Sequence, residues 1–172
     1  MKLVLNKEYK LRHLAVAALL GAVGLWFFYD GLVAWPEENR RWREEQIARE
    51  VLPETLENEK PPHPDHKIGE QLVFGGVLDG VALLISILLA REALKTLEWD
   101  FGKGTMKGSM TGGREVPFTE IKDMDLRQWR TKRIARVSLK DGRRMTLDAW
   151  HHANAADLVR HFRDTLKIPF ED

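Results

Sequence analysis

Two apolar runs, 14–35 and 71–90, constrain this chain more than anything else in it. The first reads LAVAALLGAVGLWFFYDGLVAW, with Asp30 as its only charge, and the second reads QLVFGGVLDGVALLISILLA, with Asp79 as its only charge. At about 1.5 Å of rise per residue each covers roughly 30 Å, the thickness of a bilayer's hydrocarbon core. A soluble core helix would show a polar face at 3.6-residue spacing, and neither run has one. An integral membrane protein with two transmembrane helices is expected, with spans at 14–35 and 70–91. The averages conceal this, since 44% apolar residues and a mean hydropathy of −0.36 are ordinary values for a soluble protein.

A cleaved leader is the alternative for the first run, because a basic segment precedes it. Its apolar stretch is longer than a typical leader core and no A-x-A site follows, so a retained anchor is expected.

Charge bias sets the orientation. The segment 1–13 carries Lys2, Lys7, Lys10 and Arg12 against Glu8, while 36–69 holds six basic and nine acidic residues. Beyond the second span, 91–172 holds 17 basic against 13 acidic residues. Both termini are therefore expected in the cytoplasm, with 36–69 on the periplasmic side. That outer segment opens with Pro36-Glu37-Glu38, a pattern suited to a helix N-terminus. A polar helix is expected to about Val51, stopping before Pro53. Pro61, Pro62 and Pro64 then favour an extended return. Trp26, Trp35 and Trp42 fall near the outer boundary, where indoles are enriched.

From Thr96 the pattern shifts to short strands: 97–101, 115–118, 121–129, 133–139 and 143–150. Ala135, Val137 and Leu139 alternate with Ile134, Arg136 and Ser138, and Asp141-Gly142 is a two-residue hairpin signal. Asn154 is a candidate cap for a last helix to about Lys167, with Ala155, Leu158, Val159, Phe162 and Leu166 on one face. The fold class is α+β. A private core is expected from Phe118, Ile121, Val137, Leu139, Leu147, Leu158 and Phe162.

The segments LEWDF, VPFTEIKDMDL and RIARVSLKDGRRMTLDAW, followed by the closing helix, resemble bacterial PH-like (bPH) domains attached to membrane hairpins. In that family an I-P-W/F-x-x-I pattern leads into a long strand, a D-G hairpin and a helix that plugs one end of a bent sheet. Val116-Pro117-Phe118-Thr119-Glu120-Ile121 fits it. The resemblance covers about 97–167 and implies a small antiparallel sheet or half-barrel with a C-terminal helix, at 96–168. It also implies a binding or scaffolding module, with no catalytic residues.

Asp79 is the sharpest single feature. A carboxylate near mid-span costs about 2.5–3.5 kcal/mol on insertion scales, and neither span offers a Lys or Arg to pair with it. Gly75, Gly76, Ala82, Ser86 and Ala90 share roughly its face, and Ala17, Gly21, Gly24 and Gly31 make a similar stripe on the first span. Small residues in such stripes permit close helix packing. Three roles are open for Asp79: assembly with a donor on another helix, a bond to Tyr29 or backbone within the hairpin, or proton and cation handling. Asp30, with Tyr29 and Trp35, sits where it fixes the depth of the first span.

His63-Pro64-Asp65-His66 has the composition of a metal site, but two histidines three apart need a helix or a further ligand, and the prolines oppose one. His151-His152 reads as a solvated turn. Arg127, Trp129, Arg130, Lys132, Arg133 and Arg136 form the densest basic cluster. Beside a bilayer it would meet anionic headgroups at roughly 1 kcal/mol per residue. The other reading is a solvated strand surface balanced by Asp123 and Asp125. Nucleic acid is not expected as a partner, given the small excess of positive charge. The absence of cysteine excludes disulfides and thiol chemistry. No nucleophile–base pair or phosphate loop stands in a recognisable context, and no cofactor or metal is expected. Two functional readings follow: a membrane-anchored accessory or scaffold protein, or a small transporter or channel component built on Asp79. Membrane lipid and other membrane subunits, or further copies of the chain, are the expected partners.

Overall fold

A computed structural model describes residues 1–49 and 60–167, and the backbone of Phe170 and Glu171. The chain divides into two units, one of His13–Ile87 and the other of Met1–Arg12 with Leu88–Asp172.

The first run lies in α1 (Lys7–Tyr29), which passes through a π turn (Asp30–Ala34) into α2 (Trp35–Ala48). A fresh helix start at Pro36 was the expectation; instead the helical path is unbroken for 42 residues. The π turn explains this. The Trp35 N–H donates to the Asp30 carbonyl, five residues back. Widening the turn here relieves the clash a proline ring makes with the carbonyl four residues before it. The expected helix end near Val51 and the stop at Pro53 fall outside the described residues. The second run lies in α3 (Asp65–Ala93). Both helical paths are long and apolar enough to cross a membrane.

Within the first unit the two runs pack antiparallel through their smallest residues. Ala17, Gly24 and Gly31 are buried at seven-residue spacing, as are Gly75 and Ala82. That repeat keeps one seam facing the partner helix. A Cβ built on Gly24 would lie 3.1 Å from the Gly75 carbonyl oxygen, and one on Gly75 would lie 3.0 Å from that of Gly24. Farther along, a Cβ on Gly21 would sit 3.9 Å from the Ala82 Cβ. Large apolar side chains point the other way: Leu19, Leu25, Leu32 and Val73 are 63–65% exposed.

The second unit reverses that arrangement. Strands β1 (Glu98–Asp100), β2 (Thr105–Lys107) and β3 (Glu115–Pro117) form one antiparallel sheet. The second sheet joins β4 (Ile121–Asp125), β5 (Ile134–Leu139) and β6 (Arg144–Asp148) antiparallel in the order β6-β5-β4. A short helix, α4 (Trp129–Lys132), replaces the expected end of the long strand, and α5 (Ala155–Arg160) closes the core. The backbone of β7 (Phe170–Glu171) pairs parallel to β4. All seven expected core residues are buried, together with Leu97, Trp99, Met106 and Met124.

Four details depart from expectation. The Asp141-Gly142 hairpin has a three-residue loop, Lys140–Gly142. Ser138 pairs with Arg144, and the Gly142 N–H donates to the Leu139 carbonyl. Gly142 then takes φ +85°, the left-handed residue of a bulge-type loop. Strand β2 lies between Gly104 and Gly108, in a stretch where no strand is expected. A second π turn, His161–Thr165, shifts the end of the last helix off its α-helical period, and Leu166 is exposed rather than on the core face.

The fourth departure is the largest. The N-terminal segment, read as a separate cytoplasmic tail, adds to the first sheet. Lys2 bridges antiparallel to Glu98, the Trp99 N–H donates to the Met1 carbonyl at 2.7 Å, and the Leu3 N–H to the Leu97 carbonyl at 2.6 Å. Leu5 bridges to His152, and the Asn6 N–H donates to the His151 carbonyl at 2.7 Å. Asn154 does not cap α5 with its side chain; it accepts from the Val4 N–H and donates to the Lys2 carbonyl. The fold is α+β, with two long apolar helices followed by two small antiparallel sheets and a C-terminal helix.

Candidate functional site

The structure places Asp79 against Gly24. A Cβ at Gly24 would collide with the Asp79 carboxylate, lying 2.8 Å from its Cγ. Absence of a side chain on one helix thus makes the notch that takes the carboxylate of the other. Tyr29 is 57% exposed, and among the described residues Asp79 has no hydrogen-bond partner. The Asp30 carbonyl serves the π turn. Of the small residues, Gly21, Gly24, Gly75 and Ala82 line the seam between the two runs. Gly76 and Ser86 are exposed, and the Ser86 hydroxyl donates to the Ala82 carbonyl of its own helix at 2.9 Å.

His63 packs against α2. Its ring stacks on Trp35 with centroids 4.4 Å apart, and its Nε2 lies 2.6 Å from the Glu38 carboxylate. The buried Asn39 clasps its backbone from both sides, donating to the His63 carbonyl at 2.6 Å and accepting from its N–H at 3.0 Å. This pins the start of the return segment to α2.

The basic cluster does not stay together. Arg127 folds back on Asp125, with bonds of 2.8 and 3.1 Å, and its guanidinium holds the Asp125 carboxyl down to about 2. Arg136 stands opposite Asp125 in the β4–β5 register. Arg130 and Lys132 are exposed on α4. Trp129 and Arg133 alone line a cavity of about 210 Å³, and the opposite wall is Ala156, Val159, Arg160 and Arg163. Ala156, Val159 and Arg160 share one face of α5, and Arg163 reaches the same cavity from the π turn that follows. In the sequence the periodicity of this helix marks its core face, and the arginines beside that face carry no signal of their own.

His151 and His152 are not a solvated turn. His152 is buried, and its Nε2 meets no hydrogen-bond partner among the described residues. Burial holds its pKa below the ordinary histidine value, outweighing the nearby Glu92 carboxylate. The His151 Nδ1 lies 3.3 Å from Glu92 and 3.4 Å from Asp148, and its ring packs on Tyr9 at 4.2 Å. Lys95 pairs with the other Glu92 oxygen at 2.6 Å. Helix ends and β6 are thereby joined through one polar knot.

Comparison with protein-family models, with curated proteins and with solved structures returned no match for this chain.

Proposed function

We propose that this chain is a non-enzymatic, membrane-anchored accessory or scaffold protein of the bacterial cytoplasmic membrane. Its helical hairpin packs with partner subunits or further copies, and its PH-like domain binds protein or anionic lipid at the inner surface. The observation that carries the reading is the pairing of Met1–Asn6 with β1 and with the residues after β6. A chain that leaves one domain, crosses a bilayer twice and returns to it has both ends on one side, in agreement with the charge bias. With the N-terminal segment counted, four antiparallel strands, then three, then a helix support the PH-like assignment. The outward Leu and Val side chains of the hairpin support a lipid environment.

A second reading rests on Asp79, which has no donor among the described residues of its hairpin: a small conduit component in which this carboxyl takes a proton or cation. Substitution separates the two. The chain and its Asp79→Asn and Asp79→Leu variants are purified in mild detergent, with identification of co-purifying subunits and sizing of the complex. The scaffold reading expects co-purifying subunits or an oligomer, kept by Asn and weakened by Leu by about 1–2 kcal/mol. A monomer that brings down no subunit contradicts it. Unchanged assembly in both variants, with transport abolished, supports the conduit.

A further inference from the structure

We infer that the cavity between α4 and the last helix binds a phosphate-bearing anionic group, the headgroup phosphate of an anionic lipid or a free phosphate. The inference deepens the anionic-lipid half of the scaffold reading and rests on it.

Three guanidinium groups line this cavity, and they are not equally neutralised. Arg160 stands 3.7 Å from Asp157, a loose contact between exposed side chains. Arg163 pairs with its neighbour Asp164 at 2.6 and 3.1 Å and holds that carboxyl below the usual range. Arg133 has no carboxylate partner among the described residues; its guanidinium lies 6.0 Å from the centre of the Trp129 ring. Among the described residues, the Arg133 charge at the cavity therefore has no carboxylate to match it. Guanidinium forks fit phosphate oxygens two at a time, which a lysine ammonium does not.

The backbone at Arg133 supports the same assignment. Its φ is +54°, in the left-handed region that a non-glycine residue enters at a cost. It ends α4, where its own N–H donates to the Trp129 carbonyl at 3.1 Å. Glycine is the residue ordinarily found at such a helix end. The arginine holds this position against that preference, and its side chain faces the cavity. Trp129 is half-buried, packed on the core from one side, and offers the cavity an apolar wall. At about 210 Å³ the space falls below the ~300–1,000 Å³ typical of larger organic ligands and suits a small headgroup.

Arg133→Gly isolates the side chain, because glycine relaxes the backbone at this φ and does not threaten folding. The full-length chain in mild detergent is titrated with inorganic phosphate and, separately, with dihexanoyl phosphatidylglycerol below its micelle concentration, followed by calorimetry. Saturable binding of the lipid alone assigns the site to a headgroup, and binding of both assigns it to phosphate itself; either supports the inference. Arg133→Gly is expected to weaken that binding about tenfold or more with thermal stability kept or raised. An Arg160→Gln, Arg163→Gln pair is expected to act likewise, and an Arg130→Gln, Lys132→Gln pair to leave binding within about twofold. No saturable binding of either probe, or an equal loss in the Arg130/Lys132 pair, overturns the site. Subunits that still co-purify in that case leave the scaffold reading standing.

Discussion

The two units of this chain bury opposite kinds of residue. In the hairpin the seam is Ala17, Gly24, Gly31, Gly75 and Ala82, while Leu19, Leu25 and Val73 face outward. In the domain Leu97, Leu147, Leu158 and Phe162 are at most 1% exposed, while Arg130, Lys132, Arg136 and Arg144 stand outside. Water explains the second arrangement, since removing apolar surface from it is favourable by about 25 cal/mol per Å². It does not explain the first. Where the surroundings are as apolar as leucine, sorting large side chains inward gains nothing, and close backbone approach through small residues decides the packing.

The largest effect belongs to the water-driven core. Phe162→Ala removes a fully buried ring beside Phe118, 5.2 Å away, and should cost the domain about 3–5 kcal/mol. Thermal unfolding of the full chain in detergent, read on the domain's near-ultraviolet dichroism, measures it.

A smaller loss tests where the domain begins. A fragment from Leu94 onward lacks the partners of the Trp99 N–H, the Ala153 N–H and the Leu97 carbonyl, which Met1, Val4 and Leu3 supply. Fusing residues 1–6 ahead of it through a flexible linker should raise its stability by about 1.5–4.5 kcal/mol, for these three bonds at roughly 0.5–1.5 kcal/mol each. Equal denaturant midpoints for the two fragments would return the N-terminal segment to the role of a tail.

In the hairpin the expected penalty is for excess volume rather than for a void. The chain has no cysteine, so Gly21→Cys with Ala82→Cys places a single pair across the seam, at Cβ positions 3.9 Å apart, within disulfide reach. Oxidation in isolated membranes should shift gel mobility. Adding Gly24→Val, which drives a side chain into Asp79 and the Gly75 carbonyl, should cost about 1–3 kcal/mol and reduce that shift.

The smallest effect is a pH dependence confined to the domain. Burial and the neighbouring His151 disfavour the charged form of His152, and Glu92 and Asp148 oppose them less strongly. Its folded pKa lies below the unfolded value of about 6.5, so the unfolded chain takes up the proton more readily. Stability should fall as pH drops below about 6.5, and His152→Gln should flatten that slope. The hairpin crosslink should not respond over the same range.

How much of this was legible in the sequence follows the same division. The two long apolar helices declared themselves because each run holds a single charge, and β5 and β6 because one face of each is buried. The N-terminal strand was hidden because Lys2 and Lys7 read as topology charges, while Leu3 and Leu5 were too few to show a period. Asn154 read as a cap because the type fits; its bonds go to residues about 150 positions away, beyond any local signal. Arg160 and Arg163 were passed over because charge on a surface helix face is ordinary, and only the approach of Trp129 and Arg133 makes it a cavity. The seven-residue spacing of the small residues was on the page and identifies which stripe faces which.

The central claim is that the hairpin crosses a bilayer and returns the chain to one domain on the inner side. Single cysteines at Lys60, between the two runs, and at Lys140, in the domain, test it in intact cells with a membrane-impermeant maleimide. Lys60→Cys is expected to label in intact cells and Lys140→Cys only after lysis. Labelling of Lys140→Cys alone in intact cells, or of neither until lysis, would contradict the orientation, and recovery of the unlabelled chain in the soluble fraction would contradict the membrane itself.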